Sequence, residues 1–298
     1  MNRHIPFAAE EHLDWLALAD AIADGHRRPK AQLDDIFLSR GENTVLNRAA
    51  WIEGLGIAVK TATIFPGNID FPAVNGAVSL LSDRDGTLEA TIDFHLVTKW
   101  KTAADSLLAA RRLAPPKVQR ILIVGAGTVA HSLRDAYGAA FPDARFSIWN
   151  RKPDRAESLA SRYPGTDIAG DLAEAVNAAD IVTSATMSQT PLLRGDWLRP
   201  GQHIDLIGAF RDNMREADDA ALKRARIFVD SRETVAHIGE IRDPLSRGVL
   251  TDADIVADFY ALEAFTRAPE DITLFKNGGG AHLDLMTARY ILGAAGAP

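Results

Sequence analysis

The chain of 298 residues contains no cysteine, which excludes disulfides, thiolate metal ligation and a cysteine nucleophile together. It has no apolar run long enough to cross a bilayer. Basic residues are in the minority, 33 Lys and Arg against 40 Asp and Glu, for a formal net charge of −7. No basic run exceeds a few residues, so neither nucleic acid nor a membrane surface is an expected partner. The eight histidines show no paired ligand spacing with acids, and no metal is expected. The opening segment MNRHIPFAAEEHLDWL lacks the apolar core of a signal peptide, which makes a reducing cytoplasm the expected compartment. Internal repeats and low-complexity tracts are also lacking. What remains is a chain with 47% hydrophobic residues, long enough for two domains of ordinary size, each with its own core.

The most informative segment is ILIVGAGTVAHSLRDAYGAAFPDARFSIWNRK, from Ile121 to Lys152. It reads as strand Ile121 to Val124, glycine turn, helix through Ala140, and second strand Phe146 to Trp149. Gly125 allows the tight turn, Gly127 lets backbone amides approach a pyrophosphate, and Ala130 permits close helix–strand packing. Thr128 and Val129 open the helix whose N-terminus would meet the phosphates. About twenty residues after the glycines, an NAD site usually places an acid on the ribose 2′-hydroxyl; here stand Asn150, Arg151 and Lys152. Two cations welcome a 2′-phosphate, so NADP(H) is the expected cofactor, with NAD(H) as the alternative.

Around this unit the chain divides. Helical spacing covers Glu10 to Ala23, and a polar stretch to Gly41 reads as loop. Strand-like runs follow at Val45 to Leu46, Ile57 to Ile64, Ala77 to Leu81 and Ala90 to Asp93, separated by turn signals at Pro66-Gly67-Asn68 and Asp83 to Gly86. Such an antiparallel set predicts a separate sheet. Lys101 to Leu113 reads as an amphipathic helix closed by Pro115-Pro116. Beyond Lys152, helices alternate with strands near Asp167-Ile168, Ile181 to Ser184, Ile204 to Ile207 and Ile227 to Val229, which predicts a doubly wound parallel sheet. The tail after Pro269 is a strand, a glycine turn and a helix expected to return to the first domain. The fold class is therefore α/β, with a Rossmann domain over 116–267 and a discontinuous α+β domain over 1–115 and 268–298.

With VKTATIFPGN around Lys60, KTAADSLLAARRLA from Lys101, ILIVGAGTVA from Ile121, WNRKPDRAESLA from Trp149, HIDLIGAF from His203, FVDSRETV from Phe228 and ITLFKNGGGA from Ile272, the chain resembles the ornithine cyclodeaminase and mu-crystallin family over nearly its whole length. The resemblance implies a substrate domain that also forms a homodimer, a cleft against the dinucleotide domain, and hydride chemistry at the α-carbon of an amino or imino acid. It marks Lys60 as a ligand for the substrate carboxylate, a role that suits a lysine on an apolar strand, because a buried cation is costly unless an anion meets it. Lys101 stands where the family usually has an arginine, so the charge is kept while the bidentate fork is lost. Lys99 is a rival for that role, and Arg48 is a substitute for a further family arginine.

Phe210 is the telling departure. Ornithine cyclodeaminases carry an aspartate after Gly-Ala to take a proton from the substrate amine; this chain reads Gly208-Ala209-Phe210, and phenylalanine is no base. An apolar wall suits a cyclic ketimine that arrives already protonated on nitrogen. GAF-x(3)-MRE with KNGGGAHLD is similar to the Δ1-pyrroline-2-carboxylate or Δ1-piperideine-2-carboxylate reductase branch of the family. Thr186 and Met187, after a buried strand, are expected against the nicotinamide, as are Gly278 and Gly279 of the triple glycine that ends at Gly280. His282 reads as a surface histidine rather than a proton donor, and Asp205 and Asp230 as structural acids. The expected function is NADPH-dependent reduction of a cyclic ketimine carboxylate to L-proline or L-pipecolate. The alternatives are an ornithine cyclodeaminase, an alanine-type dehydrogenase, and a non-catalytic NADPH-binding crystallin-like protein.

Overall fold

In the computed structural model, which describes residues 3–295, the chain clusters into two units: one runs to Ala104 and resumes at Gly279, and the other is Asp105–Gly278. Residues 1–2 and 296–298, placed in the first domain above, lie outside the described residues. The first unit holds strand β1 (Arg3–Ile5), helix α1 (Trp15–Gly25), strands β2 (Gln32–Arg40), β3 (Asn43–Ile52), β4 (Gly56–Ile64), β5 (Val74–Leu81) and β6 (Leu88–Asp93), and the start of helix α2 (Phe94–Leu113). Asp14 caps α1, accepting from the Ala17 amide at 2.8 Å. The six strands pair in the order β1-β6-β5-β4-β3-β2, antiparallel except for β1 with β6.

Alternation builds this sheet. In β4, Ala58, Lys60 and Ala62 are buried while Ile57, Val59 and Thr61 are only partly so, the period-2 pattern of a sheet with one covered face. The stretch up to Gly41, expected to be loop, is instead the edge strand β2, paired along its whole length with β3 from Gln32↔Trp51 to Arg40↔Asn43. Its side chains stay largely exposed on both faces, so no hydrophobic alternation marks it, and its strand state comes from the partner's ladder.

In the second unit come β7 (Arg120–Val124), α3 (Thr128–Ala140), β8 (Arg145–Trp149), α4 (Pro153–Ala160), β9 (Thr166–Ile168), α5 (Leu172–Ala178), β10 (Ile181–Ser184), β11 (His203–Leu206), α6 (Asp219–Arg224), β12 (Arg226–Val229), α7 (Arg232–Val235), α8 (Gly239–Ser246), β13 (Ile255–Ala257) and β14 (Thr273–Lys276). All eight strands are parallel, in the order β9-β8-β7-β10-β11-β14-β12-β13. Strands such as β10 are buried throughout, as expected of a sheet covered on both faces. The chain leaves β7 toward β8 on one side and returns to β10 on the other, so the switch point of this doubly wound sheet lies between β7 and β10.

The last helix, α9 (Ala281–Ala294), belongs to the first unit, where it packs on β3, β4 and α1. The small Ala58 and Ala62 leave it room on β4. The unit boundaries thus differ from those expected. The first falls within α2 rather than at Pro115, because the helix begins at Phe94, before Lys101. The second follows Gly278 rather than 267, because β14 sits between β11 and β12 and cannot leave the parallel sheet. Among the described residues no helix is long and apolar enough to cross a membrane.

Candidate active site

The register of the first sheet lines up Asp35, Arg48, Lys60, Val78 and Ile92 in one row across β2 to β6. Directly paired residues point to the same face, so Arg48 and Lys60 are neighbouring cations, an arrangement that repels unless anions intervene. Lys60 is 6% exposed and does not snorkel to solvent. Its Nζ donates to Asp284 Oδ1 at 3.0 Å, and it stands 4.8 Å from the centre of the Phe94 ring. Lys101, 5% exposed, donates to the Gly279 carbonyl at 2.9 Å and lies 3.7 Å from Asp284 Oδ1. Arg48 forks onto Asp35 at 2.8 and 3.2 Å and also donates to the Gly279 carbonyl at 3.1 Å.

Burial pushes the Lys60 ammonium down, Asp284 pulls it back, and Lys101 and Arg48 press it down again, leaving it at about 8. Burial raises the Asp284 carboxyl, yet Lys101, Lys60 and Arg48 outweigh it and hold the group below the ordinary carboxylate range. Asp284 also occupies the first turn of α9, where the helix dipole favours an anion. Two buried ammonium groups therefore share one buried carboxylate, and one positive charge is left over.

Several expectations change at this centre. Lys101 lies inside α2, whose first residue is Phe94, and not at the helix start expected there. Lys99 is engaged by Glu10 and drops out as a rival. His282 is fully buried rather than on the surface, edge-on to His26 with ring centres 5.1 Å apart; burial, His26 and Lys101 keep its pKa well below the usual histidine value, so it is neutral. Gly279, expected at the nicotinamide, has φ +72° and turns its carbonyl to Lys101 and Arg48. Gly278 is needed for packing, since a Cβ there would come 2.8 Å from Thr234 Cγ2 and 2.9 Å from Asp230 Oδ1. Asp284 closes the quoted KNGGGAHLD segment but was given no role from the sequence; its local signal is that it is the one acid of α9, between Leu283 and Leu285.

A second set of groups gathers at the carboxyl ends of β7, β8 and β10, in the other unit. Gly125 has φ +110°, and a Cβ on it would come 2.8 Å from the Ala185 carbonyl, so only glycine serves at this crossing of two strand ends. Gly127 is the N-cap of α3 and has open space where a Cβ would be; the amides of Thr128 and Val129 stand in the first turn, where no intrahelical acceptor exists. Ala130 is buried. These are the features an anionic pyrophosphate needs, and they fit a dinucleotide. After β8, Asn150 donates to the Lys152 carbonyl at 2.8 Å, and Arg151 and Lys152 are exposed.

At the end of β10, Met187 is 76% exposed, while the Thr186 hydroxyl and amide are both taken by Glu216 at 2.8 and 2.7 Å. Phe210, after β11, is 52% exposed and is therefore not core packing; the Arg211 guanidinium lies 5.2 Å from its ring centre. Asp205 is buried, accepting from Tyr137 and Thr183 at 2.8 Å each, and burial raises it to about 6. Asp230 accepts the Ser231 amide at 2.7 Å. Both behave as structural acids. The buried Glu216, Glu240 and Lys276 were not anticipated, because their burial is set by contacts distant in sequence.

Comparison with known proteins gives a consistent picture. Residues 50–296 match the model of the ornithine cyclodeaminase/mu-crystallin family. A Δ1-pyrroline-2-carboxylate reductase of Paracoccus denitrificans is 50% identical over 295 residues, 95% of this chain and 93% of that protein. The ketimine reductase mu-crystallin of Rattus norvegicus is 34% identical over 79% of this chain and 75% of its own. The structure of a Thermococcus litoralis Δ1-pyrroline-2-carboxylate reductase in complex with NADH and L-proline superposes with a TM-score of 0.89 at 23% identity, covering 98% of this chain and 97% of that one, which shows the shared fold. The chain belongs to the ornithine cyclodeaminase/mu-crystallin family.

Proposed function

We propose that this protein reduces the C=N bond of a cyclic ketimine carboxylate, Δ1-pyrroline-2-carboxylate and its six-membered homologue Δ1-piperideine-2-carboxylate, to L-proline and L-pipecolate, with NADPH preferred over NADH. The observation that carries this reading is the pair of buried ammonium groups, Lys60 and Lys101, around a single carboxylate. Burying an unmatched cation costs several kcal/mol, and a substrate carboxylate repays it on binding. The names of the relatives that share half or a third of this sequence point the same way.

Bound NADPH supplies the hydride. Gly125, Gly127 and the amides of Thr128 and Val129 hold its pyrophosphate; Arg151 and Lys152, with Asn150 shaping their turn, receive the 2′-phosphate; Thr186 and Met187 border the nicotinamide. Lys60 and Lys101 fix the carboxylate, and with it the adjoining imine carbon. Orientation of this kind contributes about 7–11 kcal/mol in well-arranged reactions. Phe210 lends an apolar surface to the ring CH₂ groups and takes no proton, which fits an imine that arrives protonated and disfavours the deprotonation that cyclodeamination requires.

Loss of NADPH and NADH absorbance with five- and six-membered cyclic ketimines tests the reading, and turnover of at least one ketimine, faster with NADPH, is the expected result. Turnover of pyruvate plus ammonium in place of ketimines would assign an alanine-type dehydrogenase, turnover of ornithine a cyclodeaminase, and tight NADPH binding with no reduction a crystallin-like role.

The protein is further proposed to act as a homodimer through the edge of its first sheet. There β2 exposes Ile36, Phe37 and Leu38 by 55, 63 and 60%, an apolar edge that folded proteins usually cover. Light scattering is expected to give twice the chain mass, and an Ile36→Asp/Leu38→Asp variant to give a monomer; a monomeric parent refutes the assignment.

A further inference from the structure

Glu216 gathers five hydrogen bonds at the carboxyl edge of the parallel sheet. One carboxylate oxygen accepts from Ser184 Oγ at 2.6 Å, the Thr186 amide at 2.7 Å and Thr186 Oγ1 at 2.8 Å. The other accepts from the Gly208 amide at 2.6 Å and the Ala209 amide at 3.2 Å. Three of these donors are main-chain N–H groups that can only donate, so the site fits a carboxylate, which can only accept. The two loops it joins touch: a Cβ on Gly208 would come 1.9 Å from the Thr186 carbonyl.

The carboxylate is itself held. Glu240 accepts the Glu216 and Ala217 amides at 2.6 and 3.1 Å, fixing the backbone that carries it. Lys276 donates to the carbonyls of Leu206 at 3.0 Å and Asn277 at 2.6 Å, beneath the ends of β11 and β14. Glu216, Glu240 and Lys276 are all fully buried. Burial raises both carboxyls, with Glu240 at about 7, and lowers the lysine, while the lysine and the donors oppose the rise. A buried charge group of this size is an expensive way to hold two loops, since apolar packing of equal volume is usually no less stable; its return is fixed geometry.

We infer that Glu216 is a positioning residue for hydride transfer: by tying the turn at Thr186 to the turn at Gly208 and Ala209, it sets the surface offered to the nicotinamide and the placement of Phe210. This rests on the function proposed above. It touches neither substrate nor the reacting atoms.

Glu216→Gln tests it. Whichever way the amide is placed, its NH₂ meets a main-chain N–H, either of Thr186 or of Gly208 and Ala209, so one turn is released while the side chain keeps its volume. In the folded variant kcat is expected to fall about tenfold or more, with the KM for ketimine changed by less than about threefold. The rise in nicotinamide fluorescence on binding NADPH should drop by about half or more, while affinity for 2′,5′-ADP, which reports the adenosine end alone, stays at the parent value. A parent-like kcat and fluorescence rise in folded Glu216→Gln would overturn the inference. A fall in both that merely tracks the fraction of unfolded protein, with parent kcat per folded site, would overturn it equally.

If that variant is not recovered folded, Ser184→Ala removes one of the five donors and keeps the charge; kcat should then fall about threefold, and a parent-like value refutes the role. Failure of the parent to reduce any ketimine would instead refute the proposed function. The two results are separable because one is read on the parent and the other on the variant.

Discussion

A Lys60→Ala variant is expected to bind NADPH as the parent does and to lose kcat/KM for a cyclic ketimine carboxylate by about 10²–10³. Truncating one partner of a buried, hydrogen-bonded charge pair costs about 2–5 kcal/mol, and each tenfold is about 1.4 kcal/mol. Lys101 remains 3.7 Å from Asp284, so the carboxylate is not stranded, and the stability cost should stay near the about 1–3 kcal/mol of a lost buried hydrogen bond. Because burial sets the Lys60 ammonium at about 8, the free enzyme holds the cation below that pH and loses it above. The kcat/KM for ketimine should therefore decline as pH rises through about 8. Lys60→Arg keeps its charge throughout this range, so any decline that persists in it belongs to deprotonation of the imine. Steady-state rates across pH for the three proteins check this. Equal kcat/KM in Lys60→Ala would remove Lys60 from the substrate site, and a shared pH profile in parent and Lys60→Arg would show that the Lys60 proton does not govern binding.

What could be read from the sequence was whatever a short stretch of chain decides for itself. The unit β7-α3-β8 matches its expected strand, turn and helix to within a residue or two, because glycine at a crossing, an apolar strand and a helix start are local properties. Lys60 was also legible, since a cation within an alternating apolar strand is costly on its face. Its partner was not: Asp284 lies more than two hundred positions away, and only the folding of α9 onto β4 brings them together. The strand β2 escaped for a related reason, as QLDDIFLSR shows no one-sided pattern and owes its extension to β3. The triple glycine shows structural demands that three glycines in a row do not spell out: Gly278 is excluded from carrying a side chain by Thr234 and Asp230, and Gly279 serves as an acceptor for two cations. Glu216 and Lys276 stand inside two of the quoted patterns, GAF-x(3)-MRE and KNGGGAHLD, yet nothing local gives them a role, since their burial and partners come from segments distant in sequence.

On the proposed reading, positive charge divides the labour of recognition between the two units, and the second large effect belongs to Arg151. Arg151→Ala is expected to weaken NADPH by about 30- to 100-fold while changing NADH by less than about threefold, because a guanidinium on a phosphate is worth about 2–3 kcal/mol and the hydroxyl of NADH offers it no charge. Lys152 beside it is exposed and retains part of the attraction, so removal of both cations should bring the two cofactors close to parity. The interaction is at the surface, where salt screens over about 8–10 Å; the parent's preference for NADPH should narrow with rising ionic strength, and that of Arg151→Ala should hardly move. Fluorescence titration of both nucleotides at two salt concentrations reads all of these quantities. A ratio of affinities left unchanged by the substitution would transfer the 2′-phosphate to other residues and leave NADH as the natural cofactor. The Lys60 centre would be untouched by that outcome, since the charge proposed to select the nucleotide and the charge proposed to hold the substrate lie on different units and answer to different measurements.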